Sequence, residues 1–211
     1  RSHDYRAFWC KISYLIVMPI SINGSGTVTG ISVGGLPDGI VDADMLAANA
    51  VTSGKLASGV GGKFASYAII ADRKTQNTNG GTITAGGWRV RDLNTEIADA
   101  DGIVSISSNQ FTLQAGSYYL AAHFPILKPG DRGASRLFNS TDNSVVENGE
   151  SVFGNTNATF IFNLYSRFTI SAAKAFEIQN RVTTTYTTYG GGVAGNFAQE
   201  TYTVVEIFKE S

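Results

Sequence analysis

From Phe64 to the C-terminus, apolar and polar positions alternate with a period of two, which predicts strands with one face on a core and the other on water. Tyr118, Leu120, Ala122, Phe124 and Ile126 share one face of such a segment, and Tyr119, Ala121 and His123 share the other. Ala158, Phe160, Phe162, Leu164, Phe168 and Ile170 alternate with Thr159, Asn163, Tyr165, Arg167 and Thr169. Phe176, Ile178 and Val182 alternate with Glu177, Gln179 and Arg181. Turn signals punctuate these runs at Gly80-Gly81, Gly86-Gly87, Asp101-Gly102, Ala115-Gly116, Asn148-Gly149 and Gly190-Gly-Gly192. Many short strands at this spacing predict an all-β sandwich.

The last segment departs from the rule. Tyr202, Val204 and Phe208 lie on one face of Tyr202-Thr-Val-Val-Glu-Ile-Phe208, and Val205 and Ile207 lie on the other. A strand apolar on both sides is buried on both sides. One face meets the sandwich core, so the second is expected to meet a neighbouring subunit. On that ground Tyr202, Val204, Val205, Ile207 and Phe208 are assigned to an oligomer interface.

Upstream the texture changes. Gly24, Gly26, Gly30, Gly34, Gly35 and Gly39 break up short Thr/Val/Ile stretches. Two ten-residue units follow, Ile40 to Asn49 and Ala50 to Gly59, in which Val41 matches Val51 and Leu46 matches Leu56. Each unit resembles a short helical turn capped by Asp42 or Thr52. Its apolar stripe is too thin to bury itself alone, so Val41, Leu46 and Leu56 are expected to pack against copies of the same chain. The predicted organisation is an N-terminal segment over 1–35, a short linker with the two ten-residue units over 36–62 and a sandwich over 63–211. Met18 looks like a natural start, which would make residues 1–17 an upstream extension or an anchoring peptide. The apolar run from Ile12 to Ile20 is shorter than the roughly 20 residues that span a bilayer, so no membrane insertion is expected.

Composition narrows the chemistry. The chain has 211 residues, 43% apolar and 16% charged, with a formal net charge of -1. Without a basic excess it is not expected to bind nucleic acid. One cysteine excludes an intramolecular disulfide and, with two histidines, leaves no metal-ligand set and no expected cofactor. Calcium ligation by Asp99, Asp101, Asp131 and Asp142 lacks the EF-hand spacing. Asp99 with Asp101 and Glu147 with Glu150 are the carboxylate pairs a glycosidase would need. Both pairs flank turn glycines, where acidic residues are ordinary caps. His123 is the sole histidine available to a nucleophilic triad, and it falls on the less apolar face of its strand. The chain is not expected to be an enzyme.

Several stretches carry a resemblance. Trp88-Arg-Val-Arg-Asp-Leu-Asn-Thr95, Ser107 through Tyr119, Gly154 to Asn157, Arg167 through Gln179 and Tyr202-Thr-Val-Val-Glu-Ile resemble C-terminal domains of bacteriophage tail-fibre proteins. Leu36 to Leu46 followed by Ala50 to Ala57 resembles their shaft segments. Those domains are similar to the C1q/TNF jelly roll, and the shared signature here is Phe111…Gly116-x-Tyr118. Leu120 stands where C1q proteins carry Phe. The resemblance implies a homotrimeric jelly-roll head on a virion, assembled in the host cytoplasm and docked to other virion proteins through its N-terminus. It implies binding of a host surface glycan or protein. A capsid-decorating fibre and a polysaccharide depolymerase spike are the alternatives.

The candidate recognition surface is the uncharged stretch from Thr183 to Asn196. Tyr186 and Tyr189 offer flat apolar faces with a hydroxyl at the edge, Thr187 and Asn196 offer hydrogen bonds, and three glycines let a backbone approach a ligand. A second candidate is Lys128-Pro-Gly-Asp-Arg-Gly133, in which Lys128 and Arg132 would meet acidic glycans.

Overall fold

The computed structural model describes residues 62–127, 132–153 and 158–210, together with positions 46, 50–52 and 55. The chain divides into residues 1–55 and 56–211. In the first unit Lys55 N–H donates to the Thr52 carbonyl (2.9 Å), a single turn at the expected cap, and Leu46 is exposed. Val41, Leu56 and Lys128 lie outside the described residues.

The second unit is all-β. Its strands are β1 (Phe64–Lys74), β2 (Arg89–Val90), β3 (Thr95–Ala98), β4 (Val104–Ser107), β5 (Gln110–Leu113) and β6 (Gly116–Leu127). There follow β7 (Arg132–Asn139), β8 (Ser144–Phe153), β9 (Thr159–Ile170), β10 (Lys174–Val182) and β11 (Glu200–Glu210). One sheet has the order β3-β1-β11-β6-β9 and the other β4-β5-β10-β7-β8, with β2 on β10. From β6 onward the chain crosses to the other sheet at every connection except β7 to β8, and every pairing is antiparallel. This is an antiparallel two-sheet jelly-roll sandwich.

The core lies between the sheets, and its aromatic residues are those the alternation places inward. Phe124 and Phe162 stack at 5.5 Å, Phe111 and Phe176 at 5.6 Å, and Phe168 tilts onto Phe176 at 5.1 Å, linking both sheets. Tyr118 is fully buried, and its hydroxyl donates to the Gln114 carbonyl (2.9 Å), so its polar end is satisfied.

Two expectations need correction. Glu177 and Gln179 do not face water, because long side chains roof the outer face of β10. Gln110 donates to Glu177 (2.7 Å), Gln179 donates to the same carboxylate, and Arg136 donates to Gln179 (2.7 Å) while lying over Trp88 at 4.2 Å. Val205 and Ile207, assigned to an oligomer interface, are fully buried in the chain's own core. Tyr202 is also buried inside the protomer, and its hydroxyl donates to the Thr78 carbonyl (2.6 Å). A side chain enclosed by its own chain has no surface left for a partner. Val204 and Phe208 remain on the outer face.

Strand directions sort the connections. The ends of β1, β6, β8 and β10 and the starts of β7, β9 and β11 lie at one end of the sandwich, here called distal. Phe64 pairs with Glu210 at the other end, so the chain enters and leaves the sandwich there. Eleven strand residues separate the two ends, about 35 Å at 3.3 Å per residue.

At the distal end the segment after β1 is clasped to the segment after β10. Gly80 N–H donates to Gly192 (2.9 Å), Gly191 N–H to Gly81 (2.9 Å), and Ile83 and Tyr186 exchange a pair of bonds (3.0 and 2.9 Å). The buried Arg91 guanidinium fastens this from below, donating to the Gly191 carbonyl (3.1 Å) and to Thr203 (3.3 Å) over the Phe124 ring. Burial pulls Arg91 down to about 10, against the pull of Asp72 and Asp92, so it stays charged at neutral pH.

The clasp admits no side chain at its centre. A Cβ on Gly191 would sit closer than 3.0 Å to the Gly80 carbonyl, whereas a Cβ on Gly87 would meet nothing within 4 Å. Gly191→Ala is therefore expected to cost about 2 kcal/mol by overpacking, and Gly87→Ala to fall within about 0.5 kcal/mol of the native chain. Urea unfolding midpoints of the two variants check this.

Candidate functional site

Three surfaces hold the sequence-predicted residues. The first is the distal loop, 183–199. Tyr189 is about half exposed and Thr187 is exposed, while Tyr186 is half-buried in its bridge to Ile83. The three glycines are buried, and the backbone they let in is the chain's own, at Gly80 and Gly81, which corrects their reading as an approach for ligand. They build the platform that carries Tyr189.

Asn196 belongs to a second turn. It adopts a left-handed conformation (φ 65°), its N–H donates to Glu200 (2.9 Å), and its carbonyl accepts from Gln76 (2.7 Å). Glu200 also accepts from the N–H groups of Gly195 (2.9 Å) and Asn77 (3.3 Å). One carboxylate thus ties the tip of this loop to the turn after β1. These backbone donors hold the Glu200 carboxyl below its ordinary value.

The tip so fixed presents Phe197, which is 96% exposed, beside the half-exposed Val193. Sequence reasoning missed Phe197. Its signal is a bulky apolar residue among Gly195, Asn196, Ala198 and Gln199, with no alternating partner to place it in a core.

The second surface is a groove of about 640 Å³ where β8 and β10 end and β7 begins. Arg132, Arg181, Phe153, Ser151 and Thr183 line it, over Gly133, Val152 and Val182. The ladder Val182–Gly133–Val152 forms its base, since these three residues pair across adjacent strands. Thr183 N–H donates to the Arg132 carbonyl (3.1 Å) and Arg132 N–H donates to the Thr183 hydroxyl (3.2 Å), so Arg132 is joined to the start of the distal loop. The sequence put Arg132 beside Lys128; the structure brings it together with Arg181 and Phe153.

The third surface is the outer face of the β1-β11-β6-β9 sheet. Phe208 lies opposite Tyr67 on β1 and Tyr119 on β6, and Phe64 closes the group, with ring centroids 5.2 to 6.5 Å apart. Farther along the face Val204 pairs with Ala71 and His123, and Ala121 with Tyr165. Tyr67 and Tyr165 are more than half exposed. Glu206 and the exposed His123 bring titratable groups to this stretch, and Arg167 is held by Glu210 in a two-pronged pair (2.6 and 2.7 Å) at its margin.

The carboxylates weighed for catalysis each have a local partner. Asp99 accepts from the N–H groups of Ile103 and Val104 (2.8 and 3.0 Å), and Asp101 from the Ser66 hydroxyl (2.7 Å). Glu147 accepts from Asn148 N–H (3.0 Å), and Glu150 from the backbone and side chain of Asn163 (3.2 and 3.0 Å). Among the described residues no group of three or more His, Cys, Asp or Glu side chains is placed to hold a metal ion.

No protein-family model matches the chain, and no curated protein matches it either. Solved structures with a similar fold include the globular domain of zebrafish complement 1qA protein, at 16% identity over 68% of this chain and 96% of that one, with a TM-score of 0.43. Murine APRIL at pH 5.0 is similar at 7% identity over 68% of this chain and 98% of its own, with a TM-score of 0.46. The Eiger TNF from S. frugiperda is similar at 8% identity over 71% and 94%, with a TM-score of 0.45. The jelly-roll assignment rests on the strand order and pairing described above.

The Glu200 tether carries a pH dependence. Its folded pKa lies below the ordinary carboxylate value of 4.5, so the stabilisation is complete above that value and is lost as pH falls through the folded pKa. Amide hydrogen exchange at Gly195 and Asn196, corrected for intrinsic rates, is expected to be constant above pH 5 and to accelerate in more acidic solution. Glu200→Ala is expected to show the accelerated rate at every pH.

Proposed function

We propose that the chain is a fibre protein of a bacteriophage virion whose trimeric jelly-roll head adsorbs reversibly to the host cell surface, without covalent chemistry. The observation that carries the reading is the open aromatic face built by Phe64, Tyr67, Tyr119 and Phe208. A cluster of this composition on the central strands of a sheet is what an obligate interface presents. Copies of the same chain are the partner, and the fibre resemblance of the sequence implies three of them. Val204 and Phe208 are the residues of the last strand that serve this contact.

The polarity of the sandwich supports the second half of the reading. The chain enters at the end where Phe64 meets Glu210, and Tyr189, Phe197 and the arginine groove lie at the distal end. A trimer attached by its N-terminal segment would offer three such ends to a cell at once. Three weak sites on one rigid body gain by avidity, so shallow surfaces suffice.

The fluorescently labelled 211-residue chain is expected to adsorb to cells of the host and to lose adsorption when cell-surface glycans are oxidised with periodate. Tyr189→Ala with Phe197→Ala is expected to reduce adsorption at least fivefold while leaving the melting temperature unchanged. Absence of adsorption to any cell susceptible to the virus would overturn the reading. Unchanged adsorption by the double variant would remove the distal loop from it.

A further inference from the structure

The distal groove has a charge pattern that the fold itself does not require. Arg132 and Arg181 both line it, both are exposed, and among the described residues neither guanidinium has an ion-pair or hydrogen-bond partner. Elsewhere in the sandwich Arg167 is paired with Glu210, Arg136 is held by Gln179 over Trp88, Arg89 donates to the Thr84 carbonyl and Arg91 to Thr203 and the Gly191 carbonyl, while the Nε of Arg73 is buried without a partner among the described residues. Two adjacent unpaired cations therefore stand out in a chain whose net charge is -1. Strand pairing puts them there, because Arg181 faces Ala134 on β7 and Arg132 faces Phe153 on β8. Arg132, Ala134, Arg181, Ser151 and Phe153 thus fall on the same side of three neighbouring strands.

Phe153 supplies the other half of the pattern. It is 68% exposed at the end of β8, and its ring borders the groove. An exposed aromatic ring gives the apolar face of a sugar ring a surface to lie on. A guanidinium gives a carboxylate or sulfate two parallel donors in a fixed fork. Ser151 adds a hydroxyl at the rim. The volume of about 640 Å³ lies within the range of ordinary ligand sites and admits one or two sugar units.

We infer that this groove binds an anionic sugar unit, with the acid group on Arg132 and Arg181 and the ring face on Phe153. The inference rests on the adhesion reading above and names the ligand class that reading leaves open. The shared chemistry is an acid carried by a pyranose ring, whose source is a uronic acid or a sulfated sugar.

The test is calorimetric titration of the full chain with oligogalacturonate, with a sulfated oligogalactose and with neutral oligogalactose. One or both acidic probes are expected to bind at least tenfold more tightly than the neutral one, and which of them binds identifies the acid. Arg132→Gln and Arg181→Gln are each expected to weaken the acidic probe at least tenfold, and Phe153→Ala at least threefold. All three positions are exposed, so melting temperatures are expected to stay native. Shifts of arginine Nε–H resonances in the native chain on adding the acidic probe provide a readout that needs no variant. Equal binding of acidic and neutral probes, no binding of either acid at millimolar concentration, or native affinity in the double arginine variant would overturn the inference. Cell adsorption that survives in that double variant would sink the groove and leave the adhesion reading standing. Loss of all cell adsorption in the native chain would sink the adhesion reading, while the titration still reports on the groove.

Discussion

A two-layer sandwich can bury only one face of each sheet, and β11 carries apolar side chains on both of its faces. It is also the central strand of its sheet, hydrogen-bonded to β1 on one edge and β6 on the other. Its inward face, Thr203, Val205 and Ile207, is enclosed by the second sheet. Its outward face sets Val204 and Phe208 among Tyr67, Tyr119 and Phe64. No rearrangement within the sandwich can cover both, because a one-residue slip of β11 would exchange the faces and expose Val205 and Ile207 instead. The surplus apolar face is thus a property of the sequence that the sandwich itself does not cover.

The same topology separates the entry and exit of the chain from the distal loops. The chain enters and leaves at one end of the strands, and the segments after β1 and β10 meet at the other. There the clasp of Gly80 and Gly191 and the buried Arg91 hold a pair of loops by backbone bonds and close packing. Glu200 accepts from the N–H groups of Gly195 and Asn196 in the loop tip and from that of Asn77 in the turn after β1, tying the two together. Such devices fix the position of Tyr189 and Phe197 without burying them, so apolar surface stays in water at little conformational cost on binding. The neighbouring groove adds charge to that end. Proposed adhesion, trimer and acidic-sugar site draw on different parts of the molecule, and each has its own test.

Period-two alternation made the core legible, since Tyr118 to Ile126 and Phe162 to Ile170 pack inward as their spacing implies. It also found the double-sided strand, but not which residues would stay inside: Val205 and Ile207 differ from Val204 and Phe208 only in parity, and parity does not say which face meets the core. Glu177 and Gln179 looked water-facing because alternation sees polarity, not the roof formed by Arg136, Trp88 and Gln110 from other strands. The glycines of 190–192 were legible as a place of close backbone approach, yet the approaching backbone came from residues 80 and 81, over a hundred positions away. The groove was half visible through Arg132. Arg181 and Phe153 joined it only through strand register, which no single-sequence pattern carries. Phe197 went unseen because isolated apolar residues in loops are common and ordinarily need no explanation.

The central claim is that the outer face of β11 is covered by copies of the same chain. Native mass spectrometry of the 211-residue chain across a hundredfold dilution tests it most directly. A single species of three chain masses, each 22.4 kDa, that persists on dilution is the result expected. A species of one chain mass at every concentration would contradict the account, because the aromatic face would then stand open in water.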